Sequence, residues 1–385
     1  MQYALLPKEN KGDAVTATFN FRFGSLATLR GQGVAGDYTA EMLDKGTVNK
    51  NRQQIKEELN RLKASVNFSG SGSFLTVNVE TDRQHLPEVI RLVGEILTKP
   101  AFPASEFDKM KAETLAALEE QKSDPNALAA NTYSRISQPT YPKDDPRYVR
   151  TFEEETTDLK ALTVQDVQAF YKKFYGGTTG STGAIVGDFD KKEVEKAMNE
   201  AFGSWKSGGK FERIANDYTP IAAKTEALNT PDKSNAVYVA GYGFPMRNDD
   251  PDYPAITIGG YILGGGFLNS RLATRIRQKD GLSYTVRGNF SASSLDKNGS
   301  FSAFMIYNPE NVDKLETAFR EEIERATKDG FTAEELDAAR SGWLKSRKVA
   351  RTSDAALAGT LQSNLYVGRT MAWEKQLDDH VASLT

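Results

Sequence analysis

Residues 36–47 read Gly-Asp-Tyr-Thr-Ala-Glu-Met-Leu-Asp-Lys-Gly-Thr and set two carboxylates, Asp37 and Glu41, four positions apart in a helix-like run. Side chains at i and i+4 share a helix face, and two ligands at that spacing could grip one metal ion. The ligand types argue against it: carboxylates alone are poor zinc ligands beside His or Cys, and a solvated helix face explains the pair better. Ala40, between them, brings no functional group. A second candidate lies in residues 270–286, Ser-Arg-Leu-Ala-Thr-Arg-Ile-Arg-Gln-Lys-Asp-Gly-Leu-Ser-Tyr-Thr-Val. Arg277 falls in the last turn of a helix, Gly281 is a candidate left-handed exit residue, and Tyr284 follows at the start of a strand. Plainer uses exist for both. Tyr284 alternates with Leu282 and Val286 as a half-buried strand tyrosine would, and Arg277 suits a helix C-terminus.

Other chemistries are narrowed by counting. The 385 residues include no cysteine, which removes disulfides, thiolate zinc sites and cysteine nucleophiles. The two histidines, His85 and His380, are far apart, so a two-histidine zinc helix cannot form. Both read as solvated. The net charge is −3, with no basic excess or motif that points to nucleic acid. No run of about 18 apolar residues marks a membrane span, and the opening Met-Gln-Tyr-Ala-Leu-Leu-Pro-Lys has no signal-peptide pattern. The Gly-rich stretch 259–272 fails as a phosphate cradle, because no Lys-Ser/Thr follows it; close helix packing or a substrate-contact loop suits it better. The acidic run 152–158 reads as a solvated helix face.

The elements that must carry these residues are legible from periodicity. Val15, Ala17, Phe19, Phe21 and Phe23 alternate with polar residues, as in a half-buried strand. Ala-Ser-Val-Asn-Phe and Phe-Leu-Thr-Val-Asn-Val-Glu flank a Gly/Ser turn and form a hairpin. Ile55, Leu59 and Leu62 make one helical stripe; Val194, Ala197, Met198, Ala201 and Phe202 make another, preceded by a short buried strand in 183–190. The pattern then restarts near residue 233. The segment from Phe102 matches the segment from Phe331, and Thr332 with Glu335 forms a capping box. The expected architecture is α+β: two similar units, each a largely antiparallel sheet with helices on one face. The first repeat spans 1–205, 206–232 is a linker rich in Gly, Pro and charge, and the second repeat spans 233–385. The second repeat is expected to be truncated at its C-terminus, lacking the last helix–strand–helix of the first.

Together these features resemble the insulinase/pitrilysin family of zinc metallopeptidases, which includes mitochondrial processing peptidase, over essentially the whole chain. The resemblance implies the LuxS/processing-peptidase type of fold and an active enzyme made of two halves that close on a peptide. One half carries H-x-x-E-H before a Met, Lys, Gly, Thr context. Here Met42, Lys45, Gly46 and Thr47 match, but the two histidines are Asp37 and Glu41, and the general-base glutamate is Ala40. That implies the half without zinc. The family's third ligand, a glutamate on a later helix, corresponds to one of Glu113, Glu119 or Glu120. The non-zinc half carries R-x-K-x-G-L-x-Y-x-V, matched from Arg277 to Val286, and the resemblance assigns Arg277 and Tyr284 to positioning the substrate backbone. It further implies no cofactor on this chain, zinc on a partner half (a separate subunit or an N-terminal part of the same polypeptide), a peptide substrate, and a bacterial periplasmic or envelope location. The alternative is a catalytically dead structural or peptide-binding subunit of the same fold.

Overall fold

The computed structural model describes residues 1–177, 179–206 and 209–385; Ser207 and Gly208 of the expected linker lie outside the described residues. The chain forms two compact units, and neither is continuous in sequence. The first comprises residues 1–117, 141–214 and 350–371; the second comprises 118–140, 215–349 and 372–385. The repeats drawn along the sequence therefore differ from the compact units: each unit takes one helical segment from the other repeat.

The first unit is built on a five-stranded sheet ordered β1-β5-β2-β4-β3. Its strands are β1 (Gln2–Pro7), β2 (Ala14–Arg22), β3 (Ser65–Ser71), β4 (Phe74–Asp82) and β5 (Thr182–Gly187). All pairings are antiparallel except β1 with β5. The alternation in β2 does what it predicts: Val15, Ala17, Phe19 and Phe21 are buried on one face. On that face Phe21 meets Phe202 and Trp205, with ring centroids 5.7 and 5.2 Å away. The Lys191–Phe202 helix also packs on the Leu86–Thr98 helix so closely that a Cβ on Gly94 would lie 2.6 Å from the Ala201 Cβ. One helix departs from the one-sided cover. Asp354–Val367 lies on the opposite face, its Ala358 buried against Ala184 and Val186.

The second unit has a three-stranded antiparallel sheet ordered β6-β8-β7, with β6 (Ala236–Phe244), β7 (Ser283–Ala292) and β8 (Gly299–Tyr307). Its main core joins Leu272, Ile276, Leu282, Val286, Met305 and Leu315. A smaller cluster sets Ile258 and Ile262 against Ala339, Leu377 and Val381. The Gly-rich stretch is used for close packing: a Cβ on Gly264 would sit 2.4 Å from the Gly288 Cα in β7. Among the described residues, no helix is long and apolar enough to cross a membrane.

Candidate functional site

Arg277 and Tyr284 sit on either side of a fixed corner in the second unit. The helical segment Ala273–Lys279 is wound in π fashion, with the Asp280 N–H donating to the Arg275 carbonyl five residues back at 3.0 Å. Such insertions gather at functional sites. Gly281 takes φ +64°, the left-handed exit that its position predicts. The Leu282 N–H then reaches back to the Ile276 carbonyl at 2.8 Å. Ile276 and Leu282 are both buried, so the corner is pinned to the core on each side.

The start of this segment is pinned as well. Arg271, only 8% exposed, donates two hydrogen bonds of 2.6 Å to the carboxylate of Glu335 and one of 2.9 Å to the Gly330 carbonyl, over the Phe331 ring. Glu335 closes the capping box with Thr332 at the same time. Hydrogen bonding from Arg271 holds the Glu335 carboxyl below its ordinary range. Arg275 is occupied by Asp280 at 2.5 Å and Glu321 at 2.9 Å. Arg277, two residues on, is exposed and has no hydrogen-bond or ion-pair partner among the described residues.

Tyr284 is turned outward by a β-bulge. Ser283 pairs with Tyr307 and Thr285 with Ile306, so Tyr284 is the extra residue on β7. The Ser283 hydroxyl holds the bulge, donating toward the Thr285 and Ile306 carbonyls at 2.7 and 2.5 Å and accepting from the Thr285 N–H at 3.2 Å. Simple alternation would send Tyr284 inward with Val286. The bulge breaks the phase, leaving Val286 at 6% exposure and Tyr284 at 59%. The half-buried strand tyrosine is therefore not what the structure contains.

In the first unit, Asp37, Ala40 and Glu41 lie on the Gly33–Met42 helix, but their surroundings do not form a metal site. The turn of the β3–β4 hairpin rests on this helix. A Cβ on Gly36 would be 2.5 Å from the Gly72 Cα, and the Ala40 Cβ lies 3.0 Å from where a Gly70 Cβ would stand. Ala40 is buried, whereas Glu41 is exposed. Asp37 accepts the Gly72 N–H at 3.2 Å and faces Arg150 at 3.4 Å, and Arg150 also pairs with Asp158 at 3.1 Å. A guanidinium thus stands where a ligand carboxylate would need a metal. Burial pushes the Asp37 carboxyl up to about 6, with Arg150 opposing the shift; 45% of the side chain still meets water, which limits any energy drawn from it. Glu113 and Glu119 are exposed and paired with Lys109 and Lys122, and Glu120 is exposed. Among the described residues no three His, Cys, Asp or Glu side chains are grouped to hold a metal. These residues do not fit zinc.

Two smaller expectations change. His85 is not solvated: its side chain is 15% exposed, and Nδ1 lies 2.7 Å from Asp82 Oδ1. The acidic run is partly engaged, since Glu155 accepts the Tyr38 hydroxyl at 2.9 Å and Glu154 pairs with Lys143. Arg150, Arg271 and the Ser283 bulge had no local sequence signal; each depends on a partner distant in sequence or across a strand.

The fold is that of two α+β units with largely antiparallel sheets, and among the described residues the Asp37–Glu41 helix offers no metal site. Residues 3–144 match the model of the insulinase family (peptidase family M16), and residues 161–342 match that of the peptidase M16 inactive domain. The chain belongs to this family. A non-peptidase homolog, YmxG, of Helicobacter pylori is 23% identical over 364 residues, covering 94% of this chain and 81% of its own. An uncharacterized zinc protease of Streptomyces coelicolor is 23% identical over 361 residues, covering 91% and 74%. Among solved structures, a peptidase M16 inactive domain from Pseudomonas fluorescens superposes with TM-score 0.84 at 22% identity, covering 100% of this chain and 89% of that one. At such identity the likeness shows the shared fold.

Proposed function

We propose that this chain is the non-zinc half of an insulinase-type metalloendopeptidase and positions a peptide for hydrolysis at a zinc site on a partner half. The observation that carries the reading is the pair of donors, Arg277 and Tyr284, both exposed and without a partner among the described residues, on opposite sides of the Gly281 corner and within the stretch that matches the inactive-domain model. A guanidinium and a phenol there can donate to the backbone carbonyls of an extended peptide. Where one donor meets developing charge at the scissile carbonyl, its loss costs ~3–4 kcal/mol, roughly 10²–10³ in turnover. Orientation of the bound peptide adds to this. The zinc half is either a separate subunit or an N-terminal part of the same polypeptide, and the location that goes with this reading is the periplasm or envelope of a bacterium.

The test is peptide hydrolysis by the chain combined with its zinc-bearing half. Arg277→Ala and Tyr284→Phe each lower kcat by roughly 10²–10³ while association of the halves is unchanged. Unchanged turnover overturns the reading. It would favour the second one, a catalytically dead structural or peptide-binding subunit, which the name of the Helicobacter pylori relative, a non-peptidase homolog, supports.

A further inference from the structure

Along residues 215–349 of the second unit, arginines are engaged in ion pairs. Arg271 and Arg275 are bound as described above, and Arg247, Arg320, Arg325, Arg340 and Arg347 each meet a carboxylate as well. The other two arginines of this stretch, Arg277 and Arg287, are exposed and have no such partner among the described residues. Tyr284 lies between them, seven positions after Arg277 and three before Arg287.

Arg287 is the only charged residue on the three strands of the second sheet. Its chain neighbours Val286 and Gly288 are buried, Val286 in the main core, so the Arg287 side chain leaves the opposite face of the strand. Across the strand pair it stands beside Phe304 and not beside an acid. The bulge turns Tyr284 off the core as well, so the phenol and the guanidinium are both presented outward from β7. Nothing local neutralises the charge. Asp280 is the only carboxylate in residues 273–292, and Arg275 holds it at 2.5 Å. Lys279, exposed and with no ion-pair partner among the described residues, adds charge of the same sign. A strand advances roughly 3.3 Å per residue, which sets Arg287 about 10 Å beyond Tyr284. A peptide that meets Tyr284 and follows β7 brings a side chain to Arg287 roughly two to three residues further on.

We propose that Arg287 is a specificity residue of the Arg277/Tyr284 site and selects peptides with an aspartate or glutamate roughly two to three residues from the carbonyl that Tyr284 holds; this rests on reading that site as one that positions a substrate peptide. The guanidinium offers a carboxylate two parallel hydrogen bonds. It repels a lysine or arginine in the same place, so attraction and repulsion both contribute to the choice.

The test is hydrolysis by the chain combined with its zinc-bearing half, acting on nonapeptide mixtures randomised except that one position in turn is Glu, Gln or Lys, with products read by mass spectrometry. At one position near the cleaved bond Glu raises kcat/KM by roughly three- to tenfold over Lys, and the advantage shrinks in about 1 M salt. Arg287→Lys keeps this order, Arg287→Gln levels it and Arg287→Glu reverses it. The readout is the Glu-to-Lys ratio, because poor folding or poor association lowers both rates alike. Absence of a Glu advantage in the unaltered chain, or an advantage that survives Arg287→Glu, overturns the proposal; if Arg277→Ala and Tyr284→Phe still lower kcat, the substrate-positioning reading stands without it. Turnover indifferent to all three residues overturns both.

Discussion

Glu335→Ala removes the carboxylate that both caps its own helix and neutralises Arg271. Two charge-assisted hydrogen bonds of 2.6 Å are lost, and a guanidinium only 8% exposed keeps one carbonyl partner, Gly330. Breaking a buried pair by removing one partner costs about 3–5 kcal/mol. The Glu335 side chain is 28% exposed, which reduces that figure, and the lost cap adds about 1 kcal/mol. The expected destabilisation of the second unit is about 2–4 kcal/mol. Arg271→Met removes the buried charge itself, keeps an apolar stem on Phe331 and leaves Glu335 in the capping box, so it should cost less, about 1–2 kcal/mol. Two units make a single global unfolding energy ill-defined, so amide exchange of residues 270–290 is the assay. Glu335→Ala should also remove this group's acid sensitivity and Arg271→Met should reduce it: the folded Glu335 carboxyl is held low, mainly by Arg271 and further by the Thr332 N–H, so its stabilisation is full above about pH 4.3 and lost as pH falls through the depressed value. An Arg271→Met cost equal to or above that of Glu335→Ala would refute the reasoning, because the burden would then lie in packing and not in an unpaired charge.

Ser283→Ala should leave the Thr285 N–H without its side-chain acceptor and speed its exchange, with a loss of about 1–3 kcal/mol; unaltered exchange at Thr285 would remove the serine from the account of the bulge. With Asp37 raised to about 6 in the fold, the folded state binds more protons than the unfolded one between about pH 4 and 6. Stability of the first unit should therefore fall as pH rises through that window, and Asp37→Asn should flatten the slope. Ala40→Glu must push the Gly70–Gly72 turn off its helix, at about 1–3 kcal/mol, and a neutral thermal melt would contradict the contact. Elemental analysis after exhaustive dialysis should find far less than one zinc per chain; stoichiometric zinc would mean that Asp37 and Glu41 form a metal site after all.

Sequence signals are legible where the physics is local. The β2 alternation, the β3–β4 hairpin, the Thr332 capping box and the left-handed Gly281 all follow from short-range sterics and hydrogen bonding. β1 carries no such signal, because it shows no alternation: its burial runs exposed, exposed, half-buried, half-buried, exposed, exposed, and its partner β5 lies about 180 residues away. The alternation of Leu282, Tyr284 and Val286, the plainer reading of Tyr284, does not give its exposure, because a bulge is set by the opposing strand and not by its own sequence. The residues of the candidate pair were legible by spacing and resemblance, whereas the groups that present them, Arg271 and Ser283, depend on contacts that spacing does not encode.

The discontinuity of the first unit bears on how the chain is made. Its sheet is complete in sequence once β5 is synthesised, but the helix that covers Ala184 and Val186 does not begin until Asp354. At synthesis rates of about 5–20 residues per second, that face waits on the order of ten seconds for its cover. During this interval an apolar surface is open on the nascent chain, a natural point for chaperone capture and for a stalled or cut product to aggregate. A truncated chain that stops before residue 354 would consequently lack the cover of the N-terminal unit, far from the cut in sequence.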